Sequence, residues 1–184
     1  DVKTLFSYDE MRTLLLSQKG LIGHNIVRYD IPLLEKLLGI KIKSRLFDTL
    51  PMSWVLNTSR GKHGLDSFGQ DFGVPKPEVD NWVSLTPEEY AHRCQEDVKI
   101  NWLLWQNLLK RFIFSYKDKL QLDKFFRYLE FKMNCAASAE ASGWRLDIDL
   151  AKDSIDKLTK EQDYKTKELC NVMPLRKLFK VQSK

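Results

Sequence analysis

Strand and helix signals alternate over the first part of the chain, and two long helical runs follow. This predicts an α/β domain with a partly parallel sheet, then an all-helical segment. Three observations carry the prediction. Leu21–Gly23 reads as a short buried strand and Arg45–Asp48 as a second short strand. Each is followed by a helix signal with Pro near the first turn, Pro32 and Pro51 respectively. From Leu120 onward the apolar residues keep only helical spacing.

In chain order, Ser7-Tyr8-Asp9-Glu10 has the form of a capping box. It predicts a helix from about Tyr8 to Gln18 that buries Met11, Leu14 and Leu15, with Gly20 just past its end. After the first strand, Pro32 and Gly39 frame a helix over Ile31–Leu38. The second strand runs directly into the helix TLPMSWVL. Residues 61–64 read as a loop, Leu65–Phe72 as a helix stopped by Gly73, and Gly73–Trp82 as an extended Pro-rich connection. Thr86-Pro87-Glu88-Glu89 is a strong helix start, with Thr at N-cap, Pro at N1 and Glu at N3. Tyr90, Cys94, Val98, Leu104, Leu108 and Phe112 continue it to about Arg111. A long helix from about Leu120 ends at Gly143, and another starts at Asp147 as N-cap. The domain boundary is expected near residues 113–120, giving domains 1–115 and 116–184.

The 184 residues, 43% hydrophobic and 30% charged, suffice for one core and exclude a disordered chain. A net charge of +5 suits a polyanionic partner. Cys94, Cys135 and Cys170 lack metal-ligand spacing and read as reduced, buried thiols. Neither a membrane span nor a signal peptide is visible. The start, DVKTLFSYDEM, has no initiator Met and reads as the inside of a longer protein.

Chemistry is expected at Asp30, just past the first strand, and Asp97, inside a helix whose other face is apolar. In α/β sheets ligands collect at the carboxyl ends of strands. Two carboxylates meeting there would bind hard divalent cations through oxygen, and a metal pair can stabilise the attacking and leaving oxygens of phosphodiester cleavage. Taken singly, each Asp more often caps or solvates a helix. Asp48 is expected to accept backbone hydrogen bonds at a strand-to-helix step. Trp54, Trp102, Trp105 and Phe68 read as core, with Trp82 and Tyr90 as possible stacking platforms for a single strand.

Several blocks, in order, resemble the 3′–5′ proofreading exonuclease domain of A-family DNA polymerases of the phage replicative type, within the DnaQ-like (DEDD) superfamily. GHNIVRYDIPLL resembles the second exonuclease motif through Asn25, Tyr29 and Asp30. LFDTLPMSWVL and HGLDSFGQDFG resemble the elements that follow it, and YAHRCQEDVKINWLLWQNLL resembles the third motif, closed by Asp97-Val98. YLEFKMNCAASAEASGWRLDIDLA resembles the segment leading to the polymerase thumb. The resemblance implies a ribonuclease H-like exonuclease fold, lacking its first strands, followed by the start of a thumb. It implies a proofreading activity that hydrolyses the 3′-terminal phosphodiester of DNA and releases a nucleoside monophosphate. Asp30 and Asp97 would bind Mg²⁺ or Mn²⁺, and Tyr29 would contact the strand. Asn25 and His24 would contact the strand or brace Asp30, and Arg28 would meet a phosphate as a charged donor or stand exposed in a turn. The partners would be a DNA 3′ end and the rest of the polymerase chain, in a bacterial or phage-infected cytoplasm.

Two departures shape the expectation. The family's first motif, a strand bearing Asp-x-Glu, is absent, so the chain supplies two of the family's four acidic ligands and is expected to be inactive alone. The parent protein would be active. The slot four residues before Asp97, a Tyr in one branch, holds Arg93; the slot five before it, a His in the other branch, holds His92. An imidazole with a pKa near neutrality suits proton abstraction from the attacking water, so His92 is the expected base. Two further readings stand beside this one: a nuclease-fold scaffold or nucleic-acid-binding module without catalysis, and an RNA-trimming exonuclease of the same superfamily.

Overall fold

A computed structural model describes residues 2–74 and 85–173. The chain divides into two compact units, Asp1–Ser142 and Gly143–Lys184. The first is mixed α/β and mostly helical. Its elements are α1 (Tyr8–Ser17), β1 (Gly20–Gly23), α2 (Asp30–Leu38), β2 (Arg45–Asp48), α3 (Thr49–Leu56), α4 (Leu65–Phe72), α5 (Pro87–Ser115) and α6 (Lys119–Ser142).

β1 and β2 pair in parallel, with Gly20 opposite Arg45 and Gly23 opposite Asp48. The β1–α2–β2 segment is therefore a βαβ unit. This register sets the carboxyl ends of both strands side by side. It brings the polar stretch after Gly23 next to the Asp48-Thr49 step, which fixes where the site forms.

Helix ends follow their chemistry. Gly39 and Gly73 close α2 and α4 in the left-handed conformation, at φ 64° and 69°. Thr86 and Glu89 make both bonds of a capping box at the start of α5. Asp48 caps α3 through Leu50 N–H. The α1 start differs from expectation: Ser7 has N-cap backbone geometry but its hydroxyl makes no cap bond. Ser7 and Glu10 are exposed there, where water serves the first N–H groups equally well. Gly20 is not a C′ residue; it opens β1.

The main core joins Met52 of α3, Phe68 of α4, Ile100, Leu104, Leu108 and Phe112 of α5, and Leu122, Phe126 and Leu129 of α6. Phe112 meets Phe126 edge to face at 5.4 Å and Phe125 at 5.6 Å. A smaller cluster, Ile26, Val27, Ile31 and Met133, holds the segment between β1 and α2. Because α6 packs on β2, α3 and α5, the first unit runs to Ser142. The expected boundary at 113–120 falls at the turn between α5 and α6. Arg45 and Arg127 both pair with Asp123, which ties β2 to α6.

Several burial expectations are corrected. Tyr90 and Val98 are 41% and 54% exposed, and Cys94 is exposed as well. At about 100° per residue, six residues from Val98 to Leu104 cross to a different face, so the two stripes do not coincide. Trp54 and Trp102 are 42% and 53% exposed, each two residues from a buried neighbour and hence across the helix from it. Phe68 is buried and Trp105 packs against the core. Leu14 is exposed on α1, while Met11 and Leu15 are half-buried. All three cysteines are exposed. They lie on the solvent sides of long helices, which bury only one stripe.

In the second unit Asp147 caps α7 (Ile148–Val172) by accepting from Leu150 N–H at 3.0 Å. No residue of α7 is buried. Among the described residues no helix is long and apolar enough to cross a membrane.

Candidate functional site

The chain turns sharply after β1. A Cβ at position 23 would stand 2.6 Å from the Ile26 Cβ, so the turn needs glycine. Asn25 takes a left-handed conformation, φ 62°, which short polar side chains tolerate best. The Asp48 carboxylate holds the turn. Its Oδ1 accepts from Asn25 N–H at 2.8 Å and Leu50 N–H at 3.0 Å, and its Oδ2 accepts from Val27 N–H at 3.4 Å. Burial raises the Asp48 pKa against the pull of these N–H groups and of Arg28.

Beside this turn lies a cavity of about 440 Å³. His24, Asn25, Tyr29 and Asp30 line it from the segment after β1, and Asp97 and Asn101 line it from α5. Asp30 and Asp97, 67 residues apart, thus face one space. Asp30 opens α2 and is half-buried. Its pKa is raised from 3.8 to about 6, first by burial and then by the charges of Asp48 and Asp97, against a backbone hydrogen bond. Asp97 and Asn101 are one helical turn apart and share a face of α5.

The other expected residues divide. Asn25 lines the cavity, and its Oδ1 is buried without a hydrogen-bond partner among the described residues. Tyr29 lines it with 64% of its surface exposed, an open ring at the rim. Arg28 does not line it; its guanidinium is engaged by Glu140 of α6, with Nε donating to Oε2 at 3.1 Å and Nη2 donating to Oε1. His92 is exposed and is not among the lining residues. α5 is unbroken from Pro87, so five residues carry His92 roughly 140° around the helix from Asp97. The histidine at the cavity is His24. Trp82 lies outside the described residues.

Sequence reasoning passed over Thr49 and Asn101. Thr49 is fully buried behind the cavity wall, and its Oγ1 lies 2.7 Å from Asn101 Oδ1, 2.9 Å from His24 Nδ1 and 3.2 Å from Gly23 O. The signals were present: a Thr directly after a strand-terminal Asp, and a polar residue four positions after Asp97.

Two carboxylates and a partnerless buried amide oxygen facing one cavity fit a hard divalent cation, which takes oxygen ligands. The raised Asp30 pKa records burial first and the charges of Asp48 and Asp97 second, a cost to the carboxylate that a cation would relieve. Among the described residues no group of three or more His, Cys, Asp or Glu converges as a metal site. No protein-family model, curated protein or solved structure matches the chain.

Proposed function

We propose that the chain is part of a metal-dependent 3′–5′ exonuclease, the proofreading portion of a phage-type DNA polymerase built on a ribonuclease H-like fold. The observation that carries this reading is the shared cavity of Asp30 and Asp97 at the carboxyl end of a parallel β-pair. The ordered motifs around those two residues support it.

In this reading Asp30 and Asp97 hold Mg²⁺ or Mn²⁺, with the Asn25 amide oxygen beside them. The cation supplies charge stabilisation to phosphodiester hydrolysis. The chain's own residues do the rest. Asp48 braces the turn that carries Asn25 and leads into Asp30. Tyr29 offers an exposed ring on which the terminal base can stack. Arg28, engaged by Glu140, holds the segment to α6 instead of meeting a phosphate. The base expected at His92 draws no support from the cavity. Its test is His92→Ala in the full-length protein, where near-normal cleavage removes the role.

Two carboxylates are a thin ligand set, since divalent affinity at oxygen sites depends on ligand number and charge. The 184-residue chain is therefore expected to bind Mn²⁺ weakly and to leave single-stranded DNA intact. A longer protein bearing an Asp-x-Glu strand upstream is expected to release nucleoside 5′-monophosphates from the 3′ end. Asp30→Asn or Asp97→Asn should abolish that release. Robust cleavage by the chain alone, or full activity in either variant, overturns the reading. Deoxy- and ribo-oligonucleotides compared in one assay separate the DNA enzyme from an RNA trimmer.

A pair of acidic residues lining the cavity among the described residues, where the resemblance calls for four, favours one alternative, a nucleic-acid-binding module without catalysis. It forecasts cation-assisted DNA binding with no release of monophosphate in the longer protein.

A further inference from the structure

Thr49 lies behind the cavity wall and touches three of its lining residues through one oxygen. Gly23 belongs to the end of β1, His24 to the turn after it, and Asn101 to α5. Thr49 itself does not line the cavity, and none of its surface is exposed.

The proton count is constrained. A threonine hydroxyl has one proton to donate and two lone pairs to accept with. Gly23 O and Asn101 Oδ1 can only accept, so the single Thr49 proton is shared between them, with Asn101 Oδ1 the nearer at 2.7 Å against 3.2 Å. In the tautomer that carries its proton on Nδ1, the His24 imidazole donates to Thr49 Oγ1 across the 2.9 Å contact. One hydroxyl thus joins the strand end, the imidazole and the helix in a polar cluster, beside the buried Asp48 and Ser53. Such a cluster is directional and refines the rotation of α5 that burial of the Ile100–Leu104–Leu108–Phe112 stripe sets more coarsely.

Asn101 brings α5 into this cluster, and Asp97 stands one turn before it on the same face. Holding the Asn101 side chain at 2.7 Å fixes the rotation of α5 about its axis at the turn where Asp97 enters the cavity. Asp48, the preceding residue, fixes the other side by binding the backbone of Asn25 and Val27.

We propose that Thr49 is a positioning residue: its hydroxyl locks α5 to the end of β1 so that Asp97 and Asp30 face each other across the cavity and can share a cation. This rests on the reading of that cavity as a divalent-cation site. Thr49 touches neither carboxylate; it acts through Asn101.

The test uses the 184-residue chain and Mn²⁺ alone, with the affinity read by electron paramagnetic resonance of the free ion. Thr49→Val, nearly the same shape without the hydroxyl, is expected to weaken Mn²⁺ binding roughly 10–100-fold, the usual effect of losing a group that orients a ligand. The loss should match that of Asp97→Asn, and combining the two changes should add little. Asp30→Asn should still weaken binding further in the Thr49→Val background. Thr49→Ser, which keeps the hydroxyl, should bind like the wild type. Undiminished binding in Thr49→Val, or losses that simply add with Asp97→Asn, overturns the proposal. If Thr49→Val does not fold, Asn101→Ala takes its place, with the same pattern expected.

A cation-free measurement separates this proposal from the functional reading. Nuclear Overhauser contacts between the His24 ring and the Asn101 side-chain amide are expected in the wild type and in Thr49→Ser, and are expected to be lost in Thr49→Val. If the wild type shows no saturable Mn²⁺ binding, the cation reading fails for this chain alone and these contacts alone decide the positioning role. Their persistence in Thr49→Val sinks it.

Discussion

Asp30 opens α2 half-buried, with its carboxyl raised from 3.8 to about 6 mainly by burial and then by Asp48 and Asp97. An acid whose folded pKa is raised binds more protons folded than unfolded between those two values. Its contribution to stability is therefore greatest below pH 3.8, falls as pH rises, and is fully lost above about pH 6. Asp48, raised by burial as well, acts in the same direction. The cost at neutrality, discounted for partial solvation, is on the order of 2 kcal/mol. Asp30→Asn is thus expected to raise the melting temperature at pH 7 by roughly 4–8 °C, with the gap to wild type closing below pH 4. The same variant should lose its response to Mg²⁺. Equal melting curves at pH 7 would show that the carboxyl is not strained. Thr49→Val should act oppositely, costing about 1–3 kcal/mol because the half-buried Gly23, His24 and Asn101 polar atoms lose their shared partner.

At the level of elements, chemistry confined to a few adjacent residues was legible in the sequence. The Thr86–Glu89 box, Asp147 as a cap, and Gly39 and Gly73 as left-handed ends all stand where local patterns put them. Burial was less legible, because it depends on which helix face meets a neighbour. Val98 and Leu104 look like one stripe in the sequence, yet they lie on different faces of α5. Close approach between elements was also hidden. Gly69 sits inside α4, where glycine normally costs about 1 kcal/mol against alanine. A Cβ there would stand 2.5 Å from the Val74 carbonyl oxygen and 2.9 Å from Ile100 Cδ1. The backbone oxygen cannot swing away as a side chain can. Gly69→Ala is therefore expected to destabilise by roughly 1–3 kcal/mol despite its gain in helix propensity. A more stable variant in urea unfolding would show that α4 shifts freely on α5.

On the scale of the whole chain, Asp30 and Asp97 were paired in the sequence through the resemblance of the blocks around them, since each alone reads as a helix cap or a solvated residue, whereas Thr49 and Asn101 were given no role. Their role exists only through a three-way contact between elements far apart in sequence. The same long-range geometry sets how a nucleic acid would meet the chain under the proposed function. The net charge of +5 favours a polyanion, but the cavity presents two carboxylates and Arg28 is engaged by Glu140. Overall and local electrostatics therefore oppose each other. Monovalent salt weakens single-strand binding by screening and counterion release, with a logarithmic slope of about −0.7 per phosphate engaged. A divalent cation held at the cavity reverses the local sign. Fluorescence anisotropy of a labelled single-stranded oligonucleotide is thus expected to show binding that weakens with KCl yet strengthens on adding millimolar MgCl₂ at constant ionic strength. Asp30→Asn and Asp97→Asn should bind more tightly than wild type without Mg²⁺ and lose the Mg²⁺ enhancement. Indifference of wild-type binding to Mg²⁺, or variants that behave like wild type, would separate the strand from the carboxylate cavity and leave the basic surface as the sole contact.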